Sequence, residues 1–277
     1  MAEAAARYAV VTGSNKGIGL ETVRQLASKG VKVVLTARDE KKGLEAVQKL
    51  KDSGLSDLVI FHQLDVANPG SIASLADFIK TQFGRLDILV QERPSTEPKK
   101  STQTYESVKE CVETNYYGAK RTTEALIPLL QLSDSPRIVN VSSPPRNLWW
   151  YDIPNELARG VFTDPKNLTE ENVEEVLSEY LKDFKEGSLE TKGWGHSSAY
   201  VLSKAALNAY TKILAKRYPS FCINCVCPGF VKTDINWNTG KIPVEEGAAN
   251  PVRLALLPKG GPSGLFFFQQ EVSPFLS

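Results

Sequence analysis

A glycine-rich turn between a short apolar strand and an amphipathic helix constrains this chain more than any other feature. The turn reads GSNKGIG (residues 13–19) and follows the apolar run YAVV (residues 8–11). Residues 20–27 then carry apolar side chains at helical spacing. Backbone N–H groups and the positive end of the helix dipole converge at such a turn, so the pattern predicts a phosphate-binding site. Taken alone, it also fits a tight connection that binds no ligand.

A second feature is the pair Tyr200 and Lys204 in the segment SAYVLSKAALNAYTKILAKRY (residues 198–218). Residues four apart share one face of a helix, so the ammonium lies beside the phenol. A nearby positive charge favours the phenolate and lowers the phenol pKa from its free value of about 10. This pair therefore predicts a proton donor, although a solvated face of a lysine-rich helix gives the same spacing.

Three further segments complete the pattern: ETNYYGAKR with Asn115, RIVNVSS ending at Ser143, and CPGFVKTD (residues 227–234). With these motifs in this order, residues 8–274 resemble the short-chain dehydrogenase/reductase family. Within that family the chain is most similar to the monomeric carbonyl reductases, including the plant salutaridine and menthone (neomenthol) reductases. The resemblance implies an enzyme that reduces a ketone or aldehyde to an alcohol with NADPH. An apolar cyclic terpenoid, alkaloid or xenobiotic carbonyl is the expected substrate.

The resemblance also assigns catalytic roles. Tyr200 donates the proton, Lys204 lowers the Tyr200 pKa and binds the nicotinamide ribose, and Ser143 hydrogen-bonds the carbonyl oxygen. Asn115 holds a water in the proton relay. Two plainer interpretations stay open: Ser143 caps the turn after its strand, and Asn115 satisfies backbone inside a helix.

The end of the second predicted strand indicates which cofactor binds. Enzymes that use NAD have a carboxylate there, whereas an arginine accommodates the 2′-phosphate of NADP. Ala37 takes the acidic position, Arg38 follows it, and Lys16 adds a second cation. We therefore expect NADP(H), unless Arg38 is a solvated charge paired with Asp39. The resemblance also implies that residues 65 and 66 flank the adenine and that residue 233 contacts the nicotinamide carboxamide. The expected cofactor-binding residues are therefore Gly13, Asn15, Lys16, Gly17, Ile18, Gly19, Arg38, Asp65, Val66, Tyr200, Lys204, Pro228, Gly229, Val231 and Thr233.

Apolar runs of strand length alternate with helical patterns along the chain. Strands are predicted at residues 8–11, 31–37, 58–65, 86–90, 137–143, 222–227 and 264–268, and helices at 19–29, 41–53, 69–83, 105–132, 199–217 and 244–256. This alternation predicts an α/β fold with a Rossmann-like, doubly wound parallel sheet, whose ligands bind at the carboxyl ends of the strands. A length of 277 residues fits one domain.

Composition excludes several other functions. The net charge of +1, from 33 basic and 32 acidic residues, provides no patch for nucleic acid or an anionic membrane. No apolar run approaches a membrane span, and the N-terminal residues lack the apolar centre of a signal peptide, so we expect a cytoplasmic protein. The two histidines lie far from the four cysteines in sequence, which argues against a metal site.

A helical insertion at about residues 147–196 precedes the tyrosine. Its apolar stripe consists of Val173, Val176, Leu177, Tyr180, Leu181 and Phe184 at 3.6-residue spacing. Thr169 is the expected N-cap, Leu168 and Val173 form a hydrophobic staple, and Gly187 ends the helix. The resemblance implies that this helix covers the surface through which tetrameric relatives pair, leaving a monomer. Alternatively, it decorates a surface that still dimerises.

Two segments depart from the family. Gln91, Glu92, Arg93 and Pro94 stand where relatives have Asn-Asn-Ala-Gly, and residues 95–103 are short for the flap that follows. The segment PPRNLWW (residues 144–150) is bulkier than its usual counterpart. The first departure is natural divergence, an altered or incomplete segment, or a change that abolishes turnover. The alternative functions are therefore a nucleotide-binding protein without turnover, or an enone alkene reductase, which Tyr200 disfavours.

Overall fold

The computed structural model describes residues 6–92, 103–143, 155–164, 166–194 and 199–274. Within them, the strands are β1 (Tyr8–Val11), β2 (Lys32–Ala37), β3 (Val59–Gln63), β4 (Ile88–Gln91), β5 (Arg137–Val141), β6 (Cys222–Cys227), β7 (Phe266–Phe268) and β8 (Glu271–Ser273). They form one sheet in the order β3-β2-β1-β4-β5-β6-β7-β8. Neighbouring strands are parallel, except that β7 and β8 are antiparallel.

The α-helices of the same residues are α1 (Gly17–Ser28), α2 (Glu40–Leu50), α3 (Pro69–Phe83), α4 (Tyr105–Val112), α5 (Gly118–Leu130), α6 (Glu156–Thr163), α7 (Glu170–Glu186), α8 (Ala199–Arg217) and α9 (Val244–Ala255). A π-helical turn, Glu113–Tyr117, joins α4 to α5 without a break. A second one, Lys51–Leu55, follows α2 and contains Gly54 in the left-handed region.

The helices cover both faces of the sheet. Helices α1, α2 and α9 pack on one face, where they bury residues such as Val23, Val47 and Val252 against the strands. Helices α3, α4, α5, α7 and α8 pack on the other face, around Leu75, Tyr116 and similar side chains. Strands covered on both faces are buried along their length, which explains why β1, β4 and β6 consist mostly of apolar residues.

This topology determines where a ligand can bind. Strands β1 and β4 are neighbours, and the chain runs from β1 outward to β3 before it returns to β4. The carboxyl ends of β1, β4, β5 and β6 therefore meet at one edge, beside the point where the strand order reverses. The glycine-rich turn and residues 92, 143 and 228 all follow strands at this edge.

The predicted fold class is confirmed, and the predicted elements agree with the structure to within a few residues. The sequence-based interpretation missed α6 and β8. Helix α6 has only eight residues, which is too short for a clear apolar period. Strand β8 has three largely exposed residues and adds to the sheet edge only by pairing with β7.

The insertion helix α7 begins and ends where the sequence predicts. The Thr169 side chain accepts a hydrogen bond from the Asn172 amide, and Gly187 closes the helix at φ 69°. The apolar stripe residues lie in the core or pack against it, as do both members of the predicted staple. The insertion is therefore an integral layer of the domain on the α8 side of the sheet.

Among the described residues, no helix is both long and apolar enough to cross a membrane. The same residues contain no cluster of three His, Cys, Asp or Glu side chains suited to a metal ion. All four cysteines are buried thiols.

Candidate active site

The predicted proton donor and its lysine lie in the first two turns of α8. Tyr200 is half-buried and Lys204 is 3% exposed. The Lys204 Nζ atom donates a hydrogen bond to the Val141 carbonyl oxygen at 3.0 Å, at the end of β5. The same Nζ lies 5.7 Å from the centroid of the Tyr200 ring. Contact with β5 thus holds the ammonium beside the phenol.

Ser143 completes this group from the opposite side. It lies two residues beyond the end of β5, where the chain leaves the carboxyl edge of the sheet. Its Oγ atom is 2.6 Å from the Tyr200 hydroxyl, a hydrogen bond in which either oxygen can donate. The structure therefore brings a phenol, an ammonium and a second hydroxyl together at one edge of the sheet.

Asn115 lies in the π-helical turn between α4 and α5 and is completely buried. Its Nδ2 atom donates to Ser203 Oγ at 3.0 Å, and Ser203 Oγ donates to the Tyr200 carbonyl oxygen at 2.9 Å. The Asn115 Oδ1 atom has no hydrogen-bond partner among the described residues. Asn115 therefore links the π-turn to the helix that carries Tyr200 and Lys204. π-Turns inside α-helices are frequent at functional sites.

The glycine-rich turn has the geometry of a phosphate cradle. Gly13 and Gly17 have φ values of 57° and 56°, in the left-handed region that favours glycine. A Cβ atom on Gly19 would lie 2.8 Å from the Ser14 Cα and 2.9 Å from the Gly13 carbonyl oxygen, so no larger residue fits there. The Ser14 amide and hydroxyl bond to the Thr36 and Val11 carbonyl oxygens, which fastens the turn to β1 and β2. The turn fits the phosphates of a dinucleotide.

A cleft of about 170 Å³ opens in front of this turn. Its walls come from the turn, the residue after β4 and the segment after β6, namely Gly13, Lys16, Gly17, Ile18, Glu92, Lys232, Thr233, Asp234, Ile235, Asn238 and Val244. Five of the predicted cofactor-binding residues are among them. Asn15 and Gly19 belong to the same turn without lining the cleft.

The two cations predicted for the 2′-phosphate both have acidic neighbours. Lys16 Nζ lies 3.5 Å from Asp234 Oδ2, and both side chains are exposed. Arg38 NH1 lies 3.7 Å from Glu110 Oε1 on α4, and this pair is exposed as well. Asp39 is not the partner of Arg38, since its side chain caps α2 and pairs with Lys42. Exposed ion pairs of this kind contribute little stability, so a phosphate can replace the carboxylate as the partner of either cation.

The remaining predicted residues lie at the same edge of the sheet. Asp65 follows β3, and its Oδ1 atom accepts a hydrogen bond from the Ala67 amide at 3.0 Å. Val66 packs partly buried against the core. After β6, Gly229 adopts φ 88° and Val231 is buried, pairing with Ile242.

Of the segment at the end of β4 that departs from the family sequence, the structure describes Gln91 and Glu92. Gln91 is completely buried, and its Nε2 atom donates to Thr123 Oγ1 at 2.7 Å and to Asn140 Oδ1 at 3.0 Å. Glu92 is buried and faces the cleft. Arg93, Pro94, the short segment that follows to residue 102, and the aromatic segment 144–150 lie outside the described residues.

Sequence reasoning missed three residues near the site. Ser203 accepts a hydrogen bond from Asn115. Its position directly before Lys204 is the sequence signal that could have identified it. Lys232 and Asp234 line the cleft on either side of Thr233, within a segment that follows a strand at the ligand-binding edge. Their position after that strand was the available sequence signal.

Comparison with known proteins agrees with this geometry. The sequence matches the short chain dehydrogenase family over residues 7–147 and 187–242. It is 54% identical over 298 residues to the (+)-neomenthol dehydrogenase of Arabidopsis thaliana, covering 99% of this chain and 100% of the relative. It is 36% identical to carbonyl reductase (NADPH) 1 of Rattus norvegicus, covering 96% of this chain and 98% of the relative.

The solved structure of salutaridine reductase from Papaver somniferum has a TM-score of 0.88 and 48% sequence identity, covering 95% of this chain and 99% of that one. The alignment with the Arabidopsis protein is longer than the 277 residues of this chain, so that relative carries internal residues without a counterpart here. The family match, these identities over nearly the whole chain and the convergence of Ser143, Tyr200 and Lys204 lead to one conclusion: the chain belongs to the short-chain dehydrogenase family.

Proposed function

We propose that this chain uses NADPH to reduce the C=O group of an apolar cyclic ketone or aldehyde to an alcohol. As a short-chain dehydrogenase it is an oxidoreductase acting on carbonyl and CH–OH groups. The single observation that carries the proposal is the 2.6 Å contact between Ser143 Oγ and the Tyr200 hydroxyl, with the Lys204 ammonium held beside the same ring.

The reaction needs a hydride donor and a proton donor. A nicotinamide cofactor, when bound, would supply the hydride for the carbonyl carbon. The carbonyl oxygen then gains negative charge, and Tyr200 donates the proton that neutralises it. General acid catalysis of this kind contributes typically 10²–10⁴-fold to the rate. Ser143 donates a second hydrogen bond to the same oxygen and holds it within reach of the phenol.

Lys204 assists Tyr200 through its charge. An ammonium carries three N–H donors, and the Val141 carbonyl oxygen accepts one of them. This bond fixes the ammonium near the ring, where a positive charge stabilises the phenolate left after proton transfer. Lys204 therefore positions the charge and also binds the ribose of the cofactor.

Asn115 supports the proton path. Its amide bonds Ser203, which in turn bonds the backbone of Tyr200. The buried Oδ1 atom is available to a water that returns a proton toward Lys204 and Tyr200. We assign Asn115 to the relay on these contacts.

NADP(H) is the cofactor that the cleft favours. The residue at the end of β2 is Ala37 rather than an acid, and Arg38 follows it. Lys16 adds a cation from the glycine-rich turn, and by the family resemblance Asp65 and Val66 would flank the adenine. The rat relative named for NADPH supports the same choice.

The substrate class follows from the relatives and from the surface near the cleft. The two plant relatives are named for neomenthol and salutaridine. In this chain Phe230, Ile235 and Trp237 are exposed on the segment after β6, and Ile235 also lines the cleft. Exposed apolar side chains next to a site favour an apolar ligand.

The chain acts as a cytoplasmic monomer. Helix α7 buries its apolar stripe against α4 and α8, which removes that surface from pairing with a second copy. Buried thiols are typical of a reducing compartment. A single monomer mass in light scattering supports this assembly state, and a dimer mass contradicts it.

The variant Tyr200→Phe tests the proposed reaction. NADPH oxidation is followed across cyclic monoterpene ketones, morphinan-type ketones and simple quinones. We expect the wild type to turn over at least one ketone, and the variant to lose turnover about 10²–10⁴-fold while it binds NADPH with unchanged affinity. Tyr8→Phe, far from the cleft, is the matched control and retains full activity.

Retained turnover in Tyr200→Phe removes Tyr200 from its role. NADPH binding without oxidation of any ketone by the wild type supports the second candidate, a nucleotide-binding protein without turnover. The observation that favours this second candidate is that Glu92, in the segment after β4 that departs from the family, lines the cleft with its acidic side chain.

A further inference from the structure

An ion pair joins the two walls of the cleft in front of the glycine-rich turn. Lys16 belongs to the turn, and Asp234 belongs to the segment after β6. The Lys16 Nζ atom lies 3.5 Å from Asp234 Oδ2, although 218 residues separate the two in the chain. The pair therefore spans the cleft beside the turn that fits the phosphates of a dinucleotide.

The two walls lie close together at this place. A Cβ atom added to Gly17 would lie 3.6 Å from the Thr233 Cγ2 atom, which is ordinary van der Waals distance. Gly17 directly follows Lys16, and Thr233 directly precedes Asp234. The backbones of the two walls therefore bring these two charged side chains within reach of each other.

The backbone that carries Asp234 is fixed by local hydrogen bonds. The Asn236 side chain accepts a bond from the Thr233 amide at 3.2 Å and donates one to the Val231 carbonyl oxygen at 2.7 Å. The Asn238 amide donates to the Thr233 carbonyl oxygen at 2.9 Å. On the opposite wall, hydrogen bonds to β1 and β2 fasten the glycine-rich turn. Opening the ion pair therefore requires rotation of two side chains and no change of the backbone.

Both side chains of the pair are accessible, since Lys16 is 53% and Asp234 is 70% exposed. The free energy of such an exposed pair corresponds to roughly a two- to fivefold change in an equilibrium constant. A phosphate monoester carries roughly twice the charge of a carboxylate at neutral pH, so it is the stronger partner for a lysine. The carboxylate can therefore be displaced by a phosphate, at a small cost in affinity.

We propose that Asp234 is a specificity-determining residue that lowers the preference for NADPH over NADH, because it competes with the 2′-phosphate for Lys16. The inference rests on the proposed use of NADP(H) and on the proposed contact of Lys16 with that phosphate. Binding of NADPH has to break the ion pair, whereas NADH has no 2′-phosphate and leaves the pair intact. Removing the carboxylate therefore tightens the binding of NADPH and leaves the binding of NADH unchanged.

The test is a double-mutant cycle of wild type, Asp234→Asn, Lys16→Met and the double variant. Each protein is titrated with NADPH and with NADH, and the fluorescence of the bound nucleotide gives Kd. We expect Asp234→Asn to bind NADPH about 2–5-fold more tightly than the wild type, with an unchanged Kd for NADH. In the Lys16→Met background the same substitution leaves both Kd values unchanged, because there is no cation to release.

Glu179→Gln is the matched control. It removes the carboxylate of another exposed pair, in which Glu179 on α7 lies 3.2 Å from Lys182, and it leaves the affinity for both nucleotides unchanged. Thermal unfolding checks that each variant is folded, and Asp234→Ser takes the place of Asp234→Asn if that variant is not.

Different outcomes separate this inference from the proposed function. Equal tightening for NADPH and NADH, or tightening that persists in the Lys16→Met background, indicates a general repulsion of phosphates and overturns the competition. Unchanged or weaker NADPH binding by folded Asp234→Asn overturns it as well, and NADPH binding by the wild type then leaves the proposed function intact. Wild-type NADPH affinity in Lys16→Met overturns the inference and removes Lys16 from the 2′-phosphate. If the wild type binds no NADPH, the inference and the proposed function both fail.

Discussion

The side-chain oxygens of Ser143 and Tyr200 lie 2.6 Å apart, although 57 residues separate them in the chain. The contact forms because β5 ends two residues before Ser143 and α8 begins one residue before Tyr200, and both ends lie at the carboxyl edge of the sheet. The insertion helix α7 lies within the intervening chain and packs against α8. The sheet edge thus brings two distant hydroxyl groups within hydrogen-bonding distance of each other.

Ser143→Ala removes one of the two hydroxyl groups proposed to donate hydrogen bonds to the substrate carbonyl oxygen. We expect kcat to fall about 10²-fold, because deleting one donor to a developing oxyanion typically costs 10²–10³-fold. NADPH affinity remains unchanged, since Ser143 does not line the cleft at the glycine-rich turn. Ser143→Thr keeps the hydroxyl and retains more activity. Steady-state kinetics measure kcat for each variant. A wild-type kcat in Ser143→Ala would show that Ser143 only caps its turn.

Arg38→Asp places a negative charge at the position proposed to bind the 2′-phosphate. We expect the preference for NADPH over NADH to reverse, because the phosphate is repelled and the ribose hydroxyls gain a carboxylate partner. The ratio of kcat/KM for the two cofactors measures the change. Glu110→Gln, which removes the acidic neighbour of Arg38, leaves the NADPH preference intact. Equal NADPH affinity in wild type and Arg38→Asp refutes the assignment.

Lys120 on α5 ties the insertion helix to the domain. Its Nζ atom lies 2.9 Å from Glu170 and 2.5 Å from Glu174, and Arg217 at the end of α8 lies 2.6 Å from Glu170. Burial opposes the charged form of Lys120, yet the bonds to Glu174 and Glu170 raise its pKa above the usual value. The network therefore joins α5, α7 and α8.

Lys120→Met leaves the buried Glu170 with one cation fewer. We expect the free energy of unfolding to fall by about 1–3 kcal/mol, less than for a fully buried pair because Glu174 is partly exposed. Urea denaturation measures the change. Lys182→Met breaks the exposed pair with Glu179 and costs less than about 0.5 kcal/mol. If Lys120→Met and Lys182→Met lower the free energy of unfolding by the same amount, the ion-pair network around Lys120 does not stabilise the domain more than an exposed pair does.

Cys227 is the last residue of β6, and burial raises the pKa of its thiol to about 11. The thiolate is the reactive form, so a thiol with a raised pKa stays protonated and unreactive at neutral pH. We expect alkylation of Cys227 in the folded chain to stay slow from pH 7 to about 9 and to rise toward pH 11. Mass spectrometry of iodoacetamide-treated protein measures this, with urea-unfolded chain as the reference. Rapid labelling of folded Cys227 at pH 7 contradicts it.

Local patterns were enough to predict most of the fold. The glycine-rich turn, the caps of α7 at Thr169 and Gly187, and the apolar runs of the strands depend on residues that are neighbours in the chain. Elements without such a local pattern were missed, namely the eight-residue α6 and the exposed edge strand β8. Whether they form depends on the residues that α6 packs against and on the strand that β8 pairs with.

The amino-acid sequence by itself determined the alternation of strands and helices, the conformational freedom required at Gly13 and Gly17, and the spacing of Tyr200 and Lys204 on one helix. Each of these is a property of side chains a few residues apart. Only the tertiary structure decided that Ser143 meets Tyr200, that Arg38 lies near Glu110 rather than Asp39, and that Glu92 faces the cleft. The reason is physical: these contacts join residues from separate strands and helices, and their distances depend on how the sheet orders its strands and how the helices pack on it.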